Sequence, residues 1–449
     1  MKIRHIALTK GAIWTIASFG ASNFIRFATS IILTRLLAPE LFGVMVIVYT
    51  LRTGVELLSD VGIGQSIVYN ENADDPDFRN TAWTIQSIRG IILWAVACAA
   101  AAPVAYFYRT PILASIIPVA SFVIVLSGFS SINNFLLQKR LQIARLTAYN
   151  VIVGIISAAG QITFAYFVPT IWGLVFGLLF SGATVLIGGF FLLPDVKHRF
   201  KISRNYTWQI LHFGKWIFLA SVVYFLSISF DRLYLAGAIP LALLGVYGIA
   251  RSIAELLSGL ALQLGNGVIF PFIAQHSDMP RTDLRNELVS IRQKFLLIAA
   301  LGFSVSAATV DLIIRVVFDE RYHAASWMAP ILIIGAWISI LCSLNESTLL
   351  GLGAPRYGAI GYSMKFGWLL VGLPLSLSHY GPVGGIVVIA ISDVFRYPPA
   401  IIGQIREHFA FRRQDLFITL LMLGLFGIFE WLRWILGLGT SFESLPIFG

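Results

Sequence analysis

The stretch from Ile171 to Leu193, IWGLVFGLLFSGATVLIGGFFLL, contains no charged residue and only two hydroxyl side chains. An α-helix of this length can cross the hydrocarbon layer of a bilayer, which is about 30 Å thick. Similar apolar runs recur along the 449 residues, of which 57% are hydrophobic and 12% charged, with a mean hydropathy of +0.82. Soluble domains carry about 25% charged residues. The sequence therefore predicts an all-α polytopic membrane protein.

Thirteen apolar runs, separated by polar or Pro/Gly-rich stretches, are the predicted membrane-spanning helices. The first set of six lies near residues 11–35, 42–69, 83–108, 111–136, 146–168 and 171–193. The second set of six lies near residues 211–236, 243–272, 292–317, 326–350, 358–378 and 383–404. A thirteenth run covers 416–438, where Glu430 and Arg433 would also suit an interfacial or re-entrant segment.

The distribution of basic residues between the predicted loops indicates the orientation. If the N-terminus is cytoplasmic, the outer loops hold only Arg35, Arg109 and Arg321. The inner loops then hold twelve basic residues: Lys139, Arg140, Arg145, Lys197, Arg199, Lys201, Arg204, Arg281, Arg285, Arg406, Arg412 and Arg413. Cytoplasmic loops of membrane proteins carry such an excess. Topology thus explains most of the net charge of +10, and no nucleic-acid partner is predicted.

A short internal repeat relates the two sets of helices. Arg52-Thr-Gly-Val-Glu56-Leu-Leu-Ser59 in the second run matches Arg251-Ser-Ile-Ala-Glu255-Leu-Leu-Ser258 in the eighth. Six spans separate the copies, so both cross the membrane in the same direction, as in parallel repeats about an axis along the membrane normal. We expect two six-helix lobes around a central cavity. The predicted organisation is an N-terminal lobe (1–194), a cytoplasmic linker (195–210), a C-terminal lobe (211–408) and an extra hydrophobic segment (409–449).

Basic side chains inside the apolar runs are the candidate substrate-binding residues. A charge at the bilayer centre costs roughly 2.5–3.5 kcal/mol on insertion scales, so such residues should face a wet cavity or one another. Arginine suits phosphate because its planar guanidinium donates two parallel hydrogen bonds and stays charged. The predicted anion-binding residues are Arg26, Arg52, Arg89, Arg232, Arg251 and Lys365. A cavity with this excess of positive charge favours an anionic, phosphate-bearing substrate.

Acidic side chains in the same runs leave two interpretations open. Glu56, Asp60, Asp231, Glu255 and Asp393 could couple transport to H⁺ or Na⁺, or they could hold a neighbouring basic residue. Because Arg52 and Glu56 are spaced i,i+4, as are Arg251 and Glu255, each pair could equally be a self-neutralising contact within one helix.

Motifs for other activities are missing from the sequence. There is no Gly-x-x-x-x-Gly-Lys-Ser/Thr loop for ATP, no Gly-x-Ser-x-Gly nucleophile motif and no His/Cys spacing typical of a metal site. Asp75-Pro-Asp77 has the form of the metal-binding Asp-x-Asp of glycosyltransferases, but its place in a polar loop favours a solvated turn. We predict a secondary or passive transporter, not an enzyme, with no cofactor.

Three stretches together resemble the polysaccharide, or lipid-linked oligosaccharide, flippases of the MOP superfamily, often called Wzx-like. They are Thr34-Arg-Leu-Leu-Ala-Pro-Glu-Leu-Phe-Gly43, Ser229-Phe-Asp-Arg-Leu-Tyr-Leu-Ala-Gly237 and Val268-Ile-Phe-Pro-Phe-Ile273. The resemblance implies movement of an undecaprenyl-pyrophosphate-linked glycan across the bacterial inner membrane by alternating access. It implies as partners a lipid-linked anionic glycan, membrane lipids and other polysaccharide assembly proteins. The family usually has 12 or 14 spans, so the thirteenth run departs from its pattern.

Two other classes of function remain as alternatives. A multidrug or small-cation antiporter of the same superfamily would favour an acidic or apolar pocket, which the surplus of intramembrane arginine opposes. A non-transporting enzyme of glycan assembly is opposed by the missing motifs and the short predicted outer loops. A scaffold of a glycan-export complex would leave the buried charges without a role.

Overall fold

The computed structural model describes residues 2–59, 63–69, 71–140, 142–265, 269, 272–273 and 279–446, with no side-chain description for 2–16, 65, 68–69, 71, 210–220, 260 and 264. No strand forms among these residues. Their α-helices are α1 (Lys2–Leu36), α2 (Pro39–Leu57), α3 (Ile63–Tyr69), α4 (Pro76–Phe107), α5 (Leu113–Phe129), α6 (Asn133–Lys139), α7 (Ile143–Phe167), α8 (Ile171–Phe191), α9 (Arg204–Ala238), α10 (Leu241–Leu264), α11 (Arg281–Val317), α12 (Ala325–Gly351), α13 (Arg356–Ala390), α14 (Tyr397–Arg406) and α15 (Arg412–Ile435).

The length and apolarity of these helices confirm the all-α, multi-pass fold. Within the described residues, eight helical stretches are long and apolar enough to cross a membrane, and a ninth is added if α5 and α6 form one bent span. One of the eight, Arg356–Arg406, is 51 residues long and contains two predicted spans. The helices α1 and α9, of 35 residues each, overlap the first and seventh predicted runs. The count of thirteen spans stays a prediction.

Several predicted spans are broken helices. The run predicted at 42–69 forms α2 and the short α3, and the run at 111–136 forms α5 and α6 with a bend of 50°. Between the eleventh and twelfth predicted spans, Gly381 adopts a φ of 60° and a ψ of −157° directly before Pro382. Glycine tolerates this backbone, and the following proline disfavours helix at the preceding residue. A 3₁₀ turn, Ile391–Phe395, then precedes α14.

The chain divides into two compact units. Unit 1 comprises residues 1–225 and 232–242, and unit 2 comprises residues 226–231 and 243–449. The sequence places the boundary at the linker 195–210, whereas these units divide near the end of α9. The lobes as drawn from the sequence, and their relation as parallel repeats, stay predictions.

The predicted linker, residues 195–210, lies alongside the first turns of α4 within unit 1. Backbone N–H groups of Arg199, Lys201 and Ser203 donate to the side chains of Asn80, Thr84 and Thr81 at 2.9–3.1 Å. The Tyr206 hydroxyl donates to Asp75 at 2.6 Å, which holds the pKa of that carboxyl below its ordinary value. These bonds satisfy backbone donors that lack a helical partner. The segment is therefore fixed along the first turns of α4.

The segment after residue 409 contains a regular 24-residue helix, α15, that packs against α11. The Ser304 hydroxyl of α11 donates to the Met422 carbonyl at 2.8 Å. Arg433 pairs with Asp311 at 2.7 and 2.9 Å. This pairing neutralises a charge that the sequence alone would assign to a membrane interface. The helix is long and apolar enough to cross a membrane, and whether this segment is a span or an interfacial helix stays a prediction.

Candidate functional site

Unit 1 contains a cavity of 690 Å³. Its walls come from α2, α3, α4, α5, α6 and one residue of α8, Val185. This volume lies in the range of about 300–1,000 Å³ typical of small-ligand sites. Residues on either side of the break between α2 and α3, and of the break between α5 and α6, line this cavity. Discontinuous helices commonly form the substrate sites of transporters, because irregular backbone is tolerated where it lines a cavity.

Arg52 and Glu56 on α2 line the cavity and pair with each other. The Arg52 Nε lies 3.0 Å from Glu56 Oε1, and the two side chains remain 27% and 35% exposed. The i,i+4 contact that the sequence left open is therefore confirmed. Only Nε of Arg52 makes a hydrogen bond within the described part of the chain. The terminal guanidinium nitrogens can thus donate to a ligand in the cavity.

Arg89 of α4 also lines the cavity and reaches the end of α2. Its Nη2 donates to the Glu56 carbonyl at 2.6 Å and to Ser59 Oγ at 2.9 Å. Carbonyls in the last turn of a helix have no intrahelical partner, and a cation there is stabilised by the helix dipole. Arg89 therefore fixes the end of α2 at the first break and brings a second positive charge to the cavity wall.

Three side chains of α4 stabilise the second break by donating hydrogen bonds to backbone carbonyls at the end of α5. The Gln86 amide donates to the carbonyls of Ser127, Gly128 and Ser130 at 3.1–3.2 Å. Ser87 and Trp83 donate to Gly128 and Phe129, each at 3.2 Å. Buried carbonyls without partners would each cost free energy, so these bonds stabilise the break.

A close crossing of α4 and α5 makes these hydrogen bonds possible. A Cβ added at Gly90 would lie 3.0 Å from the Ile124 carbonyl and 3.1 Å from the Gly128 Cα. Both contacts involve backbone atoms that cannot rotate away, so the crossing distance requires glycine at this position.

Replacing Gln86 with leucine should destabilise the break between α5 and α6. The change removes one donor from each of three carbonyls. The Gly128 carbonyl keeps Ser87 and the Ser127 carbonyl keeps the Ser130 N–H, whereas the Ser130 carbonyl loses the donor that it has from Gln86, and an unsatisfied buried group costs about 1–3 kcal/mol. We expect a lower thermal midpoint for the purified protein in detergent. Gln138→Leu is the matched control, since Gln138 is an exposed cavity residue whose side chain makes no hydrogen bond within the described part of the chain. Equal midpoints for the two variants would contradict this role.

The remaining cavity wall is polar and largely neutral. Ser130, Ser131, Asn134 and Gln138 surround the second break, and Thr53 lies beside Arg52. Among the described lining residues there are two arginines and one carboxylate, Glu56, which gives the wall a net positive charge. Asp60, a predicted coupling residue, lies outside the described residues.

Two predicted basic residues of unit 1 do not line this cavity. Arg26 on α1 donates to Asn23, one turn earlier, at 2.7 Å. Arg232 on α9 belongs to unit 1 and is half-buried. Their assignment to substrate binding stays a prediction.

In unit 2, Arg251 lies between two carboxylates. Its Nε is 3.1 Å from Glu255 Oε1 and 3.7 Å from Asp231 Oδ2, and the Tyr247 hydroxyl donates to the same Asp231 oxygen. The second i,i+4 contact is therefore confirmed as well. Two carboxylates facing one guanidinium give this cluster a different charge balance from the pair on α2.

Lys365 and Asp393 form a buried pair elsewhere in unit 2. The Lys365 Nζ lies 3.0 Å from both Asp393 oxygens, and Lys365 is 4% exposed. Arg396 donates to Asp393 at 2.7 Å and to Glu346 at 2.7 and 3.1 Å. The sequence assigned Lys365 a cavity-lining role because no acid lies one turn away. In the structure its acidic partner is Asp393, 28 residues later in the chain. The positive charges of Lys365 and Arg396 are therefore balanced by the negative charges of Asp393 and Glu346.

Other buried polar groups of unit 2 were not singled out from the sequence. Arg292 pairs with Asp415 at 2.5 Å and donates to Asn345 at 2.9 Å. Tyr397 donates to Asp415 at 2.9 Å. These residues come from α11, α12, α14 and α15, so only tertiary contacts reveal them. Within the described residues, no group of three or more His, Cys, Asp or Glu side chains is placed to hold a metal.

The sequence profile of a family described as polysaccharide biosynthesis protein matches residues 32–327, well over half of the chain. The chain belongs to this polysaccharide biosynthesis family. Among curated relatives, the succinoglycan biosynthesis transport protein ExoT of Rhizobium meliloti strain 1021 is 21% identical over 386 residues, covering 86% of this chain and 76% of that protein. The teichuronic acid biosynthesis protein TuaB of Bacillus subtilis strain 168 is 20% identical, covering 66% of this chain and 62% of its own length.

Solved structures with the same fold include two kinds of transporter. The lipid II flippase MurJ in an inward closed conformation superposes with a TM-score of 0.73 at 14% identity, covering 94% of this chain and 93% of that one. An inward-facing multidrug resistance MATE family transporter of the MOP superfamily gives a TM-score of 0.66 at 15% identity, covering 88% and 98%. At these identities the likeness shows the fold alone. The family match confirms the polysaccharide part of the resemblance predicted from the sequence, and the shared fold confirms the predicted all-α, multi-pass architecture.

Proposed function

We propose that this protein is a flippase that moves a lipid-linked oligosaccharide across the membrane. One observation carries the proposal: the cavity of unit 1 is lined by two arginines, one glutamate and a set of hydroxyl and amide side chains. Arginine matches a diphosphate, and neutral hydroxyl and amide groups match sugar hydroxyls. Membership of a polysaccharide biosynthesis family and the name of the transport protein ExoT agree with such a substrate.

In this mechanism the cavity holds only the polar end of the substrate. Arg52 donates to the diphosphate through its terminal nitrogens, while Glu56 and Arg89 keep its side chain and the end of α2 in place. The polyprenyl tail stays in the hydrocarbon, which spares the cavity from burying it. Breaks next to the site give the helices points at which they can bend, so that access can alternate between the two sides.

The proposed setting is a bacterial inner membrane with the N-terminus in the cytoplasm. The excess of basic residues in the predicted inner loops supports this orientation. An undecaprenyl-pyrophosphate-linked glycan would then enter from the cytoplasmic leaflet and leave in the periplasmic leaflet. No ATP-binding loop occurs in the sequence, so transport is secondary or passive.

A multidrug or small-cation antiporter is the second candidate, since MATE transporters share the fold. Such a substrate would need acidic or aromatic groups to stabilise its positive charge. Phe135 is the sole aromatic residue among the described lining residues, and arginines outnumber carboxylates there. The charge of the cavity therefore favours the anionic glycolipid.

The test is the leaflet distribution of lipid-linked glycan in cells that lack this protein. We expect the glycan intermediate to accumulate on the cytoplasmic face, with loss of surface polysaccharide, and the wild-type gene to restore both. A normal distribution together with normal surface polysaccharide would contradict the proposal. Drug-efflux assays on the same strains would then test the antiporter.

A further inference from the structure

A second cavity, of 460 Å³, lies in unit 2 where α11 and α15 begin. Its described lining is Arg285 and Val289 of α11, Ala410 and Phe411 of the turn before α15, and Arg412, Arg413 and Gln414 of the first turn of α15. Three of these seven residues are arginines and none is acidic. This cavity shares no lining residue with the cavity of unit 1.

Two of the arginines are available to a ligand, and the third is held in place. Arg412 and Arg413 are exposed, and within the described part of the chain none of the three arginines forms a salt bridge. The Arg285 Nε donates to the Ala410 carbonyl at 3.1 Å, which orients its guanidinium along the wall. The site therefore presents positive charge without a protein carboxylate to balance it.

The apolar floor of the cavity is rigid. Phe411 is buried, with the guanidinium of Arg292 4.6 Å and that of Arg285 5.5 Å from its ring centre. Arg292 is itself fixed by its salt bridge to Asp415. A cation over an aromatic face is attracted to the ring, so both arginines hold Phe411 in position.

Apolar helix faces continue from the cavity on both sides. On α15, Leu416, Phe417 and Leu420 are 60–63% exposed, and on α11 Ile291 is half exposed. Both helices are long and apolar enough to span a membrane, so these faces meet lipid tails. On α15 the cavity lies where charged residues give way to apolar ones, and on α11 it lies in the charged stretch that precedes Phe295. This is the region of the lipid headgroups.

We propose that this cavity binds the phosphate of an anionic phospholipid, whose acyl chains lie along the exposed faces of α11 and α15. Basic pockets between transmembrane helices commonly bind phospholipid headgroups, and each basic residue near the surface adds to the attraction. Arg412 and Arg413 contact the phosphate, Arg285 closes the site from α11, and the backbone N–H groups at the start of α15 add to the positive potential. The proposal concerns unit 2 and does not depend on the transported substrate.

The test is lipid binding to the purified full-length protein in a neutral detergent, with phosphatidylglycerol as the probe and native mass spectrometry as the readout. The triple variant R285Q/R412Q/R413Q should weaken the tightest phosphatidylglycerol site on the order of 100-fold. The matched control R145Q/R204Q/R315Q removes the same charge at three exposed arginines outside the cavity and should bind like wild type. The double variant R412Q/R413Q changes only exposed side chains, so it should keep the fold and still weaken binding.

Four outcomes would overturn the proposal. The triple and double variants could bind phosphatidylglycerol like wild type, or the matched control could lose as much affinity as the triple variant. Phosphatidylcholine, which carries no net charge, could bind as tightly as phosphatidylglycerol. Inorganic phosphate could displace the lipid at equal concentration, which would assign the cavity to free phosphate.

Discussion

Replacing Arg52 with glutamine should reduce glycan translocation by about 10- to 100-fold while leaving membrane insertion and protein yield unchanged. The change removes the guanidinium nitrogens that face the unit 1 cavity, and hydrogen bonds between charged groups contribute about 1.5–3 kcal/mol. Glu56 remains half-exposed in the cavity and would repel the diphosphate further. The measurement is the amount of surface polysaccharide restored by the variant in cells that lack the wild-type protein.

Two further variants make this prediction specific. Arg52→Lys keeps the charge but loses the paired hydrogen bonds, so it should restore an intermediate amount. Arg145→Gln removes an exposed arginine outside the cavity and should restore the wild-type amount. Full restoration of surface polysaccharide by Arg52→Gln would show that Arg52 does not bind the substrate.

Replacing Asp393 with asparagine should severely destabilise unit 2. Asp393 is the acceptor for Lys365 and Arg396, so the change leaves two buried cations facing one carboxylate, Glu346. Removing one partner of a buried ion pair costs about 3–5 kcal/mol, because the remaining charge lacks compensation. Thermal unfolding of the purified protein in detergent, together with its yield, measures the loss.

A charge-balanced variant separates stability from transport at this pair. Lys365→Met with Asp393→Leu removes both charges and leaves the pair between Arg396 and Glu346, so it should recover most of the lost stability. If this variant is also as unstable as Asp393→Asn, charge balance is not the cause. A stable double variant that transports normally would place Lys365 outside the substrate site.

Local patterns in the sequence predicted the helices and the contacts within them. Each predicted run overlaps a helix, because about twenty consecutive apolar residues are enough to form a membrane-spanning helix whatever the rest of the fold. The repeat left two i,i+4 pairs open as one of two interpretations, and both form with nearly the same geometry, at 3.0 Å for Arg52 and Glu56 and 3.1 Å for Arg251 and Glu255. Ser59 and Ser258 likewise both donate to the carbonyl four residues earlier.

Contacts between distant residues were beyond such patterns. Lys365 has no acid nearby in sequence, and its partner Asp393 reaches it only because the helix breaks at Gly381 and turns again before α14. The neutral side chains of the unit 1 cavity also escaped notice, since a glutamine or serine in an apolar run usually indicates helix packing. Gln86 gains its role from the bend between α5 and α6, which exposes the carbonyls it binds.

The most direct test of the proposed function is translocation by the purified protein in liposomes, with three substrates that differ only in their linkage. We expect an oligosaccharide linked to a polyprenyl lipid through a diphosphate to move fastest, its monophosphate counterpart to move more slowly, and a neutral glycolipid not to move above the protein-free rate. This order follows from the arginines of the unit 1 cavity. Equal rates for all three lipids, or no movement of the diphosphate-linked lipid, would contradict the account.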